Sequence, residues 1–247
     1  MVDLDRCLEI AKAAALLAGE FIVKSQGLDL KVLLNKGRDL KLQLDIDTEN
    51  KIKKYLTLNS PYAILGEETG LSNKLNEVYW IIDPLDGTSN FLRKIPISCV
   101  SIALMSKDKP ILGVINDFNN NEIFFGHIES KAFMNDQAIS VSSLSSKNES
   151  TLMTGIPAKT HYSDDEFKKL IDNFQAWKKI RMIGSAAMSA VYVAAGKAET
   201  YQEDGIFLWD IAAGAAIVKA AGGDVSLQNF HPDYRVDAIF TNGKIKD

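Results

Sequence analysis

One short apolar run constrains this chain more than any other feature. Val78-Tyr79-Trp80-Ile81-Ile82 leads straight into Asp83-Pro84-Leu85-Asp86-Gly87-Thr88-Ser89-Asn90-Phe91. A run without polar alternation suits a strand buried on both faces. The strand must then end in a stiff turn, because Pro84 fixes φ and Gly87 accepts backbone conformations that other residues resist. Two carboxylates, Asp83 and Asp86, leave this strand end three residues apart and are placed to converge. Ionised carboxylates that close repel each other unless a cation lies between them. Asp-Pro and Asp-Gly are also ordinary turn dipeptides, so the motif by itself decides little.

Two more acidic signals sit in matching contexts. Ala63-Ile64-Leu65-Gly66-Glu67-Glu68-Thr69-Gly70 again runs from apolar residues into a glycine and then acids. Leu208-Trp209-Asp210-Ile211-Ala212-Ala213-Gly214-Ala215-Ala216-Ile217-Val218 reads as a helix stopped at Gly222-Gly223. Asp210 falls at the start of that helix, where N-capping is the ordinary alternative to a metal-ligand role. Three acidic clusters at element ends are hard to explain as three independent turns. All-oxygen donors of this kind suit Mg2+, which commonly combines a few carboxylates with substrate phosphate. The backbone and hydroxyls of Gly87, Thr88 and Ser89 are placed to receive phosphate oxygens if a helix starts there.

Together, Gly66-Glu67-Glu68, the segment from Trp80 to Phe91 and Trp209-Asp210-Ile211-Ala212-Ala213-Gly214 resemble the inositol monophosphatase family of Mg2+-dependent phosphomonoesterases. Weaker matches at Gly113-Val114-Ile115, Gly184-Ser185-Ala186-Ala187 and Gly222-Gly223 extend the resemblance over nearly the whole chain. It implies an α+β fold, a layered αβαβα sandwich of sheets and helices of the sugar-phosphatase type.

The resemblance also implies roles. Glu67, Asp83 and the main-chain carbonyl of Leu85 would hold one Mg2+, and Asp83, Asp86 and Asp210 a second. A third, loosely held ion would sit near Glu67, largely on water. Thr88 and Asp45 match the pair that orients and deprotonates the attacking water, with Glu67 beside them. The family usually has Thr three residues before that Asp, where this chain has Leu42, but Asp45 and Glu49 keep the expected spacing. Asp45 also reads as a helix cap. Gly87, Thr88 and Ser89 carry over as phosphate contacts. Gly184, Ser185, Ala186, Glu203 and Asp210 carry over as contacts to the rest of the substrate. Lys36 is the candidate for the family's loop lysine near the metals.

The expected activity is hydrolysis of inositol 1-phosphate or a related polyol phosphate by direct attack of metal-activated water, sensitive to Li+. A carboxylate such as Glu203 aimed at hydroxyls favours polyols and disfavours a second phosphate. Fructose 1,6-bisphosphatase or 3′(2′),5′-bisphosphate nucleotidase activity would need further cations, for which Arg181 and Lys197 are the candidates. A non-catalytic binding protein of the same fold is the remaining alternative.

Composition narrows the setting. The chain has 247 residues and a net charge of −4, so there is no general basic footprint and no nucleic-acid partner is expected. No uncharged apolar run approaches the ~18 residues of a membrane span, so no membrane partner is expected. The N-terminus lacks the basic start and apolar core of a signal peptide. Cys7 and Cys99 read as buried thiols. A cytoplasmic homodimer is the expectation. His127, His161 and His231 stand apart, and no Gly-x-Gly-x-x-Gly or Walker loop is present.

Apolar spacing from Leu4 to Ile22 predicts an opening amphipathic helix. The polar stretch 26–38 reads as a hairpin or a loop, and 45–58 as a second helix. Segments 62–65, 78–83, 97–105, 111–115, 122–127 and 131–133 read as strands of one sheet, with a turn at Asn119-Asn120-Asn121. The Ser-rich stretch 142–150 marks the expected division into an N-terminal α+β metal- and phosphate-binding subdomain, 1–141, and a C-terminal α/β subdomain, 142–247. Beyond it, 152–155 and 198–202 read as strands and 185–195 as a helix. Ser163-Asp164-Asp165-Glu166 is a capping-box start for a helix with Phe167, Leu170, Ile171 and Phe174 on one face.

Overall fold

The computed structural model describes residues 2–27, 30–36, 39–156 and 162–245, with the side chains of Lys36 and Asp39 left aside. The side chain of the candidate lysine Lys36, and the whole of His161, therefore lie outside what is described. Helix α1 (Leu4–Ser25) opens the chain, capped by Asp3, whose side chain accepts the N–H of Arg6. Strands β1 (Val32–Lys36) and β2 (Asp39–Leu42) form an antiparallel hairpin, which resolves the open reading of 26–38. Helix α2 (Gln43–Asn59) follows directly.

Next come β3 (Ala63–Gly66), β4 (Gly70–Leu71), β5 (Val78–Asp86), the short helix α3 (Thr88–Leu92), β6 (Cys99–Ser106), β7 (Lys109–Asp117), β8 (Glu122–His127), β9 (Ala132–Met134) and β10 (Gln137–Ile139). The strands of this stretch make one eight-stranded mixed sheet, ordered β10-β9-β8-β7-β6-β5-β3-β4. The strand predictions for this half hold, and the residues 119–121 turn between β7 and β8.

The remaining elements are β11 (Thr151–Thr154), α4 (Asp164–Gln175), β12 (Lys179–Arg181), α5 (Ala186–Ala194), β13 (Thr200–Phe207), α6 (Leu208–Ala220), β14 (Asp224–Gln228) and β15 (Arg235–Thr241). Their strands form a five-stranded mixed sheet ordered β12-β11-β13-β15-β14. The fold is α+β, with two mixed sheets and six α-helices among the described residues.

Alternation along β5 sets the layers. Trp80 and Ile82 face α1 and α2, in a core with Ala11, Ala18, Ile52 and Leu56. Tyr79 and Ile81 face the other way, into a core that α5 and α6 fill together with Tyr201 and Phe240 of the five-stranded sheet. β5 is thus packed on both sides, as its unbroken apolar run requires.

Three local expectations change. Asp210 does not cap α6, because the N-cap is Phe207 and Asp210 lies in the first turn. Strand β13 does not stop at 202. It runs to Phe207 through a bulge between Glu203 and Ile206, since β15 keeps pairing on either side. The capping box of α4 forms, with Ser163 and Glu166 as its partners, but its apolar face is not buried. Phe167 and Ile171 keep 46% and 40% of their surface exposed. Cys7 and Cys99 are free and buried. Among the described residues, no helix is long and apolar enough to cross a membrane.

Candidate metal and phosphate site

The site grows from the end of β5. Opposite β6, Asp83 pairs with Ser101 and Asp86 with Cys99, so three steps on one strand match two on the other. This bulge falls at Pro84, which has no N–H to give the ladder. Asp83 Oδ1 accepts the Leu85 N–H at 2.9 Å, and the Leu85 carbonyl accepts the Thr88 hydroxyl at 3.0 Å. Gly87 has φ +86°, and a Cβ there would lie 2.7 Å from the Ile97 carbonyl, so glycine is required where the strand turns into α3. Asn90 Nδ2 donates to the Ile97 carbonyl at 2.9 Å and to the Ile183 carbonyl at 2.8 Å. That side chain ties the turn to the loop before α5.

A second carboxylate arrives on the turn after β3. Glu49 of α2 is fully buried and accepts the N–H groups of Glu68 (2.8 Å) and Thr69 (2.9 Å), the Thr69 hydroxyl, and Lys53 Nζ at 3.0 Å. A Cβ on Gly66 would lie 2.5 Å from that carboxyl, so the close approach needs glycine. The clamp fixes the direction in which Glu67 leaves the chain. The third carboxylate, Asp210, comes from the first turn of α6, in the other half of the fold. Ligand oxygens of Glu67, Asp83 and Asp210 all lie within 4.8 Å of one another.

Asp86 stands beside this trio with different partners. Its Oδ2 accepts the Ser185 hydroxyl at 2.5 Å and the Ala187 N–H at 2.9 Å. Burial pushes all of these carboxyls upward, reinforced by their mutual repulsion for Asp83 and Asp210. Glu67 is raised to about 8, by burial and then by Glu68. Asp86 reaches only about 6, because Ser185, Ala187 and Ala186 hydrogen-bond its charged form against the burial effect. The donor set is all oxygen, buried at Asp83 and Asp86, half-buried at Glu67 and Asp210, and mutually repelling, which fits a hard divalent cation such as Mg2+.

These groups floor a pocket of about 490 Å³. Glu67, Asp86 and Asp210 line it together with Gly87, Thr88, Ser89, Gly184, Ser185, Ala186 and Glu203. Glu203 is buried, accepts the Tyr201 hydroxyl at 3.0 Å, and is raised to about 7 by burial. Asp45 is not in the lining. It is 1% exposed, its Oδ2 caps the Leu42 N–H at 2.7 Å, and burial raises it to about 7. Its Oδ1 has no hydrogen-bond partner among the described residues. Leu42 itself is fully buried.

The chain matches the description "Inositol monophosphatase family" over residues 3–237. It belongs to the inositol monophosphatase family. It is 38% identical over 256 residues to an inositol-1-monophosphatase from Synechocystis, spanning 98% of this chain and 87% of that one. It is also 40% identical over 199 residues to the Nus factor SuhB of Xylella fastidiosa, spanning 79% and 72%. Among solved structures, an Anabaena inositol monophosphatase superposes with a TM-score of 0.85 at 32% identity, over 98% of this chain and 93% of that one. Members of this family are Mg2+-dependent phosphatases, and the acidic trio of this chain could hold a metal ion.

Among the described residues, the expected metal, phosphate and substrate contacts other than Asp83 and Leu85 reach the pocket lining; Asp83, Leu85 and Asp45 lie buried outside it. Arg181 and Lys197 stay on the surface, outside the lining. The lining adds Lys41, Thr154, Gly155, Ser189, Phe207 and Asp233, none of which had a motif to announce it, and Trp209, which lies in a quoted motif but was given no role there.

Proposed function

We propose that this protein is a Mg2+-dependent phosphomonoesterase acting on a small phosphorylated polyol, with inositol 1-phosphate as the reference substrate. The observation that carries this reading is the convergence of Glu67, Asp83 and Asp210 within 4.8 Å, with Glu67 and Asp210 lining the pocket and Asp83 buried beside them. In this reading Glu67, Asp83 and the Leu85 carbonyl hold one ion, and Asp83, Asp86 and Asp210 a second. Bound Mg2+ would acidify a water and neutralise charge on the phosphoryl and leaving oxygens.

The chain's own groups supply the rest. Gly87, Thr88 and Ser89 border the pocket where α3 begins and would receive phosphate oxygens. Asp45, near neutrality at about 7 and with a spare oxygen, suits the role of proton acceptor paired with Thr88. Glu203 would accept a substrate hydroxyl, with Gly184, Ser185 and Ala186 beside it. A cytoplasmic homodimer, inhibited by Li+, belongs to the same reading.

The test is phosphate release from inositol 1-phosphate, fructose 1,6-bisphosphate, adenosine 3′,5′-bisphosphate and 2′-AMP, each with Mg2+ and with EDTA. Mg2+-dependent preference for inositol 1-phosphate is expected. Preference for a bisphosphate would overturn the substrate, and release that survives EDTA would overturn the metal chemistry.

A further inference from the structure

Five carboxylates line the pocket, Glu67, Asp86, Glu203, Asp210 and Asp233, against one cation among the described residues, Lys41. Lys41 comes from β2, on the hairpin beside the Glu67 turn. Its Nζ lies 3.1 Å from Glu68 Oε2. The Lys41 side chain is 31% exposed, but the Glu68 side chain is 4% exposed. The pair is therefore one-sided: a buried acid anchors a lysine that borders the pocket. Glu68 is in turn fixed through its N–H, which Glu49 accepts.

Position and charge agree. The ion pair ties Lys41 to the residue that follows Glu67, and Lys41 and Glu67 border the same pocket. An ordinary surface ion pair contributes little and is screened by salt. This one borders a pocket whose carboxylates include buried Asp86 and Glu203 and half-buried Glu67 and Asp210 instead. The family expectation places a third, weakly held divalent ion in the same corner, near Glu67 and largely on water. A fixed ammonium and a loosely hydrated dication compete for the same negative potential.

We propose that Lys41 is the resident cation of the Glu67 corner and stands in for the third divalent ion, leaving a site for two. Lys41 is a positioning residue here. It holds charge, and it neither takes nor gives a proton. The inference rests on the metal reading above and concerns only how many ions the site takes.

The experiment is calorimetric titration of Mg2+ into the full-length, metal-free protein without substrate, for wild type, Lys41→Met and Lys41→Arg. Wild type is expected to bind two ions. Lys41→Met should gain a third, or bind at the Glu67 side ~5–10-fold more tightly, as loss of one nearby positive charge at a partly exposed position predicts. Lys41→Arg keeps the charge and should follow wild type. Mg2+ should also raise the thermal midpoint of Lys41→Met more than that of wild type, since ligand binding to the native state adds directly to stability. Three ions in wild type would overturn the inference whatever the variants do. An unchanged isotherm in Lys41→Met would overturn it while leaving the metal reading intact. No Mg2+ binding by wild type would remove both.

Discussion

The two walls of the pocket are built on opposite plans. The eight-stranded side presents Asp86, 9% exposed, and holds Asp83, 2% exposed, just outside the lining, both on a strand packed on both faces. Their partners include main-chain N–H groups, the Ser185 hydroxyl and, at 3.9 Å, the Cys99 thiol. The five-stranded side presents Thr154, Glu203, Phe207 and, where α6 begins, Trp209, a mixture of polar and aromatic groups around a bulge. Phe207 and Trp209 stack at 4.7 Å between ring centroids. Charges that repel one another demand rigid support, because any slack lets them separate and swallow water. Groups that read a substrate tolerate a softer frame. In the reading proposed above, the first wall would carry most of the metal chemistry, with Asp210 reaching in from the second, and the rest of the second wall would carry the choice of substrate.

The sharpest way to break it is Asp83→Asn. The amide oxygen can still accept the Leu85 N–H, so the turn is kept. Turnover should fall by about 10³-fold or more if Asp83 bridges two ions. The metal-free variant should also unfold at a higher temperature than metal-free wild type, because one repelling charge is gone. Near-normal turnover would remove the chemical role of this wall.

A second test targets the other wall through pH. Burial raises Glu203 from 4.5 to about 7. A carboxyl raised on folding contributes stability that is complete below its ordinary value and is lost as pH rises through its folded value. Metal-free wild type should therefore lose up to ~3 kcal/mol between pH 4.5 and 8 through this group, on the linkage of about 1.4 kcal/mol per unit. Glu203→Gln removes that slope, so the stability of the variant relative to wild type should grow over the same window. Denaturant melts at pH 5 and pH 8 in EDTA measure it, and parallel shifts in the two proteins would refute it. With Mg2+, the same variant should raise KM for inositol 1-phosphate about tenfold more than for an aryl phosphate, the size of one hydrogen bond to a charged group. Equal effects on both substrates would take Glu203 out of recognition.

The two walls were also unequally legible. Asp83 and Asp86 follow an apolar run long enough to demand burial on both faces, and Pro84 and Gly87 mark the turn, although the strand read as 78–83 continues through a bulge at Pro84 to Asp86. Glu203-Asp204-Gly205 looks like the end of a strand. It is a bulge instead, because the ladder that keeps β13 going lies on β15, more than thirty residues later. The same limit hides Lys41. In a lysine-rich stretch one more lysine carries no signal, and its partner Glu68 lies 27 residues away. The capping box announces α4, but local spacing cannot say whether anything covers the apolar face it creates. Interactions within one turn or one strand are written locally, and those across elements are not.

The mildest test sits where the walls meet. Ser185 caps α5 by accepting the Met188 N–H at 3.1 Å, which commits its oxygen and aims its own proton at Asp86, 2.5 Å away. One hydroxyl therefore serves both fold and site. Ser185→Ala should cost about 1 kcal/mol of stability for the lost cap. It should also lower kcat/KM by about tenfold, the low end for a group that orients a metal ligand. The activity loss should shrink as Mg2+ is raised, because the freed Asp86 binds the ion less readily and mass action can compensate. Ser185→Thr keeps a hydroxyl and should recover most of both. If Ser185→Ala melts earlier but turns over normally at every Mg2+ concentration, Ser185 is a cap alone, and the carboxylate wall does not depend on its neighbour for alignment.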